Sequence, residues 1–164
     1  MTMAWYDKYL SIYDKPFSEV PQEVIDGTRE RLAALQSSEP LISIVIIAYN
    51  EEKHLQACLW ALSEIKCNYP VEIIGVDNDS KDRTAEIYKA SGIPYYTEYQ
   101  HSCGYARRCG LQHAKGKYYF DVDADTLYPP HYYNIIPWFG DFHPLPYHKQ
   151  ESTNEDAPAL SRPR

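Results

Sequence analysis

Short runs of contiguous apolar residues alternate along this chain with longer segments in which apolar residues recur every three or four positions. Ile42–Ala48, ISIVIIA, is apolar and mostly β-branched, which suits a parallel strand buried on both faces. Leu55, Leu59, Leu62 and Ile65 follow at helical spacing. Val71–Val76, VEIIGV, predicts a second buried strand, and Asp82 is placed to cap a helix running through Ala90 to a stop at Gly92. Tyr95–Thr97 reads as a short third strand, Gly104–Ala114 as a helix with Gly116 just past its end, and Lys117–Val122 as a fourth strand. Pro129 and Pro130 open a last helix through Phe139. Upstream, Pro21, Val24, Ile25, Thr28, Leu32 and Leu35 predict an amphipathic helix ended by Pro40, packed on the domain or on a partner. This alternation implies an α/β fold: a Rossmann-like, mainly parallel sheet flanked by helices.

The organisation that follows is a helical extension over 1–40, an α/β domain over 41–140 and a tail over 141–164. The tail, DFHPLPYHKQESTNEDAPALSRPR, has almost no periodic apolar positions. Such a composition predicts disorder. A length of 164 residues with 44% apolar content suits one domain with a real core. The net charge of −7 argues against nucleic acid as a partner. Cys58, Cys67, Cys103 and Cys109 form no C-x-x-C pair, and Met1–Leu10 has no apolar signal core. Both features lead us to expect reduced thiols in a cytoplasmic protein, with peripheral placement at the inner face of a membrane left open. The sixteen tyrosines are expected mainly in core and rim packing.

Polar clusters stand where the strands end. The first strand runs into Ala48-Tyr49-Asn50-Glu51-Glu52, the second into Asp77-Asn78-Asp79-Ser80, and the fourth into Asp121-Val122-Asp123-Ala124-Asp125. In open parallel sheets, ligands bind beyond the carboxyl ends of the strands. Asn50 and Asp82 could instead cap helices, and Asp79-Ser80 could form a turn. The aspartate series is harder to explain structurally. Carboxylates at alternate strand positions share a face and repel, unless a divalent cation such as Mg²⁺ or Mn²⁺ neutralises them. An EF-hand is excluded because Thr126 and Tyr132 occupy its required Gly and Glu positions. A D-x-D-x-[TV] phosphatase motif fails at Asp125 or Leu127, and no P-loop occurs. His101, Cys103, Cys109 and His113 match no common zinc spacing. Tyr128, Tyr132, Tyr133 and Trp138 fit helix packing better than sugar stacking.

The segments ISIVIIAYNEE, VEIIGVDNDSKDRTAEI and GYARRCGLQHAKGKYYFDVDADT together resemble the N-terminal half of family 2 glycosyltransferases, across about residues 41–139. The resemblance implies a GT-A fold, here incomplete, and makes 41–140 a nucleotide-sugar-binding domain. It implies that Ala48, Tyr49, Asn50 and Glu51 line the nucleotide pocket and that Asp77 and Asn78 recognise the base. It places Arg107 by the diphosphate, although Arg108 stands where the pattern usually has Asn. Asp123 and Asp125 are the D-x-D aspartates for ribose and metal, with Mg²⁺ or Mn²⁺ as cofactor. Asp121 lies outside the motif, at the core edge or behind its neighbours.

The implied reaction is transfer of a sugar from a UDP- or GDP-linked donor to an acceptor glycan or lipid. The family's acceptor site and catalytic base follow well after the D-x-D, and Asp141, Glu151, Glu155 and Asp156 do not sit in the family's context. The chain is therefore expected to be a truncated donor half with little activity alone. Ile135, Ile136, Trp138 and Phe139 would be left uncovered and open to self-association. Two alternatives stay open: a non-catalytic nucleotide-binding remnant, and a nucleotidyltransferase, although Tyr49-Asn50-Glu51-Glu52 replaces the latter's glycine-rich loop.

Overall fold

Contiguous apolar runs become strands and periodic ones become helices, within a residue or two of the expected bounds. The computed structural model describes residues 3–133. In order these form α1 (Asp7–Leu10), α2 (Gln22–Leu35), β1 (Ile42–Ala48), α3 (Leu55–Ser63), β2 (Val71–Asp77), α4 (Thr84–Ser91), β3 (Tyr95–Thr97), α5 (Cys103–His113) and β4 (Tyr118–Asp123). The helix expected from Pro129 to Phe139 falls mostly outside the described residues, and 129–133 form no α-helix. Ile135, Ile136, Trp138, Phe139 and the expected tail over 141–164 also lie outside them.

The strands build one parallel four-stranded sheet in the order β3-β2-β1-β4. Alternation along each strand divides the apolar side chains between two faces. Ile42, Ile44, Ile46, Val71, Ile73 and Val122 pack with α2, α3 and α4 in the larger core. Val45, Ile74 and Val76 pack with Ala106 and Cys109 of α5 on the other face. Gly110 permits that approach, because a Cβ there would lie 2.5 Å from Val45 Cγ1.

The segment before β1 contributes to the larger core. Tyr9, Ile12, Phe17, Val20, Ile25 and Leu32 are all buried, and α2 lies on α3 and α4. Tyr9 OH donates to Glu64 Oε2 at 2.6 Å, and Glu64 also pairs with Lys8. Beyond α2, Gln36 protects a strand edge. The short β3 covers only Gly75–Asp77 of β2. Farther back, the Gln36 amide donates to Ile73 O at 2.7 Å and accepts from Ile73 N at 2.9 Å, in place of a neighbouring strand.

No helix among the described residues is long and apolar enough to cross a membrane. Tyr88, fully buried on α4, lies over Gly75 and donates its hydroxyl to Ile46 O at 3.0 Å. A Cβ at Gly75 would meet that ring at 2.4 Å. Gly75→Ala should therefore destabilise the fold by about 1–3 kcal/mol, the usual cost of overpacking a filled core. Denaturant unfolding checks this, and an unchanged midpoint would mean that the ring has room to move.

Candidate functional site

Parallel register sets the carboxyl ends of β2, β1 and β4 side by side. Ala48 pairs with Asp77, and Ile47 with Asp123, so the expected residues share one edge of the sheet. From β1 the chain steps outward to β2 and β3 through α3 and α4. It then returns through α5, on the opposite face, to place β4 on the far side of β1. The order reverses between β1 and β4, and the crevice for a ligand in such sheets opens at that reversal.

The loops after β1 and β2 are joined by their own polar side chains. Asn50 N–H donates to Ser80 Oγ at 2.9 Å, and Asn50 Oδ1 accepts from Lys81 N at 2.8 Å. Glu51 N–H reaches Thr84 Oγ1 at 2.9 Å, and Glu52 N–H reaches Asp82 Oδ2 at 3.0 Å. Asn50 and Asp79 hold left-handed backbones, with φ of 53° and 58°, a region that Asn and Asp enter more readily than other non-glycine residues. Asn50 thus ties two loops together instead of capping a helix. Asp82 Oδ1 accepts from Thr84 N at the start of α4, near its expected capping role, and Gly92 ends that helix at φ 75°.

Asp77 and Asn78 are buried, and they are used differently. Asp77 Oδ1 accepts from Ser80 N at 3.1 Å, which shapes the turn. The Asn78 amide donates to Glu98 O at 2.7 Å and Gln100 O at 2.8 Å, and accepts from Ser102 N at 3.1 Å. Its side chain fastens the loop after β3. Tyr49, half exposed, meets His101 edge-to-face at 5.3 Å. The Lys81 ammonium lies 2.8 Å from Asp79 Oδ2 and, with His101 at 3.3 Å, holds that carboxyl below the usual carboxylate range.

The aspartates of β4 separate into two sets. Asp121 and Asp123 share the α5 face by alternation, and Asp125 lies beyond the strand's end. Asp121 accepts from Tyr119 OH at 2.5 Å and pairs with Arg107 Nε at 3.0 Å. Asp123 and Asp125 are exposed, and no Lys, Arg or His among the described residues pairs with either. Their hard oxygens suit Mg²⁺ or Mn²⁺. No group of three His, Cys, Asp or Glu side chains among the described residues forms a closed metal site. Two carboxylates completed by phosphate oxygens is a common mode for Mg²⁺. Beneath them, buried Cys58 donates to Asp123 O at 3.7 Å. Burial, followed by the charges of Asp125 and Asp123, pushes its thiol pKa up.

The remaining candidates make local contacts, and one reaches the end of β4: Tyr128 OH accepts from Asp123 N–H at 3.1 Å. His101 is occupied with Asp79, while His113 stacks on Tyr96 at 3.5 Å and lies 4.0 Å from Cys109 Sγ. Tyr128, Tyr132 and Tyr133 form an aromatic group in which Tyr133 is buried. Trp138 lies outside the described residues. Sequence reasoning missed His54, whose Nδ1 lies 2.7 Å from Glu51 Oε2 and whose Nε2 lies 2.6 Å from Asp14 Oδ1.

With this geometry in view, residues 43–144 match the family model described as Glycosyl transferase family 2. The chain belongs to that family. It is 36% identical over 104 residues to the uncharacterized glycosyltransferase RP339 of Rickettsia prowazekii, a match covering 59% of this chain and 32% of that one. It is 32% identical over 96 residues to glycosyltransferase SunS of Bacillus phage SPbeta, covering 57% and 22%. The chain thus spans about a third or less of the length of these curated relatives. Among solved structures it is similar to S. aureus TarS, with a TM-score of 0.52 and 24% identity over 62% of this chain and 32% of that one. It is also similar to the mannosyltransferase PcManGT from Pyrobaculum calidifontis, solved with GDP-Man and Mn²⁺. There the TM-score is 0.52 and the identity 20%, over 83% of this chain and 44% of that one. These likenesses show the GT-A type of α/β fold.

His54 supplies a pH test of the site. Burial lowers its pKa, but hydrogen bonds to Glu51 and Asp14 outweigh that and leave it raised above the usual 6.5. Protonated, the ring donates to both carboxylates. Neutral, it can donate to only one. Because the folded pKa is raised, this stabilisation is complete below the unfolded value and fades as pH rises through the folded one. The melting-temperature gap between wild type and His54→Ala should therefore be widest near pH 6 and narrow towards pH 8. A gap that widens with pH would contradict the doubly bonded imidazolium.

Proposed function

We propose that this chain provides the donor site of a family 2 glycosyltransferase and binds a UDP- or GDP-linked sugar for transfer to a glycan or lipid acceptor. The observation that carries the reading is the row of Asp77, Ala48 and Asp123 along the carboxyl edge at the strand-order reversal, with the Asn50–Glu51 loop above it. Asp77 accepts a hydrogen bond from the base, and Tyr49 and Glu51 line the nucleotide pocket with Ala48 and Asn50. Asn78 serves the base indirectly, because its amide holds the 98–102 loop in place. Family membership argues against the nucleotidyltransferase alternative.

Asp123 and Asp125 would hold Mg²⁺ or Mn²⁺, which supplies positive charge to the leaving diphosphate. Arg107 adds a second positive group, oriented by Asp121 and Tyr119. Asp121 is thus kept out of the metal's neighbourhood by its own partner. The whole arrangement favours a diphosphate only once the excess of carboxylates is neutralised.

Calorimetry of the chain with UDP and with GDP tests this. Affinity should fall by roughly tenfold or more, about 1.4 kcal/mol, when Mn²⁺ is replaced by chelator. Asp125→Ala should lose the metal-dependent part, while Asp121→Asn keeps most of it. Equal affinity with and without Mn²⁺, or identical behaviour of the two variants, would overturn the assignment.

A further inference from the structure

The loops after β1 and β4 share a contact that comes from far upstream. Ile12 and Phe17 are buried in the larger core and anchor a short span between them. Within that span, Tyr13 OH donates to the backbone carbonyl of Asp125 at 2.7 Å, and the Tyr13 ring lies 4.6 Å from the His54 imidazole. Asp14 N–H donates to Lys53 O at 3.1 Å, and its carboxylate meets His54 Nε2 at 2.6 Å. Asp14 holds a left-handed φ of 63° at this turn, where Tyr13 reaches the loop after β4 and both residues meet His54. His54 passes the contact on to Glu51 at 2.7 Å.

We propose that the span from Ile12 to Phe17 is a strap across the crevice at the strand-order reversal, and that Tyr13 is a positioning residue for the donor site. By holding the Asp125 carbonyl, Tyr13 sets where the Asp125 carboxylate stands relative to the loop that carries Asn50 and Glu51. The role rests on the donor reading given above. The span lies upstream of the residues 43–144 that match the family model. The bond therefore joins this chain's own N-terminal part to a family motif. It leaves Tyr13 clear of the nucleotide and acting through Asp125.

Tyr13→Phe removes the hydroxyl and keeps the ring against His54, and water can satisfy the freed carbonyl. Calorimetry should be run on wild type and variant with UDP and GDP, each with Mn²⁺ and with chelator, beside amide hydrogen exchange without ligand. The affinity in Mn²⁺ should fall by roughly threefold to tenfold, the range expected for one lost hydrogen bond. The weak affinity in chelator should stay the same, and exchange should quicken over residues 124–128 but not in β1 or β2. Equal losses with and without metal, or faster exchange throughout the sheet, would make Tyr13 a general stabiliser and overturn the strap. Unchanged affinity in a variant of a wild type that does bind would also overturn it. A wild type that binds neither nucleotide in Mn²⁺ would overturn the donor reading, and this role with it.

Discussion

The register of β1 is the constraint on which the rest of the structure depends. This strand is hydrogen-bonded along both edges, from Ile42↔Val71 to Ala48↔Asp77 on one side and from Ile42↔Tyr118 to Ile47↔Asp123 on the other. It is also covered on both faces, with Ile42, Ile44 and Ile46 under α2 and α3, and Val45 under α5. A slip of one residue against β4 would turn Val122 out of the core and drive Asp121 and Asp123 into it. Burial thus fixes the register, and the register delivers the carboxylates to the edge.

Polar side chains then convert that edge into a shaped surface. Asn50, Ser80, Asp82 and Thr84 join the loops after β1 and β2, and Asn78 adds the loop after β3. Each of these groups satisfies backbone donors or acceptors that no helix or strand supplies. The charges are distributed in the same economical way. Arg107 neutralises Asp121, Lys81 neutralises Asp79, and the exposed pair Asp123 and Asp125 is left with no basic partner among the described residues. An acidic edge with one half-exposed arginine is suited to a diphosphate that arrives with its own cation.

Much of this was legible in the sequence, for identifiable reasons. The runs ISIVIIA and VEIIGV could be placed closely because a strand buried on both faces tolerates few polar residues. The carboxyl edge of the sheet could be placed because polar clusters begin where those runs stop. What could not be read were contacts that depend on the packing of distant elements. The Asn78 amide looked free for a ligand until the fold carried the Glu98 and Gln100 carbonyls to it. The pairing of Arg107 with Asp121 could not be read either, because it appears only once Gly110 lets α5 settle on the sheet beside β4. Residues 1–40 read as an extension because their apolar spacing shows a helix face and not what covers it. In the fold, residues from Ile12 to Leu32 share the core, and Tyr13 reaches a carbonyl 112 residues away.

The central claim is that the carboxyl ends of β1, β2 and β4 form one metal-assisted nucleotide site. Paramagnetic relaxation by Mn²⁺ measures this directly in the amide spectrum of the labelled chain with UDP or GDP present. Signals from residues 123–126 should broaden first, followed by those from 48–51 and 77–80, while α2 on the far side of the larger core keeps its intensity. Broadening spread evenly over the acidic surface, or centred away from these strand ends, would contradict the account.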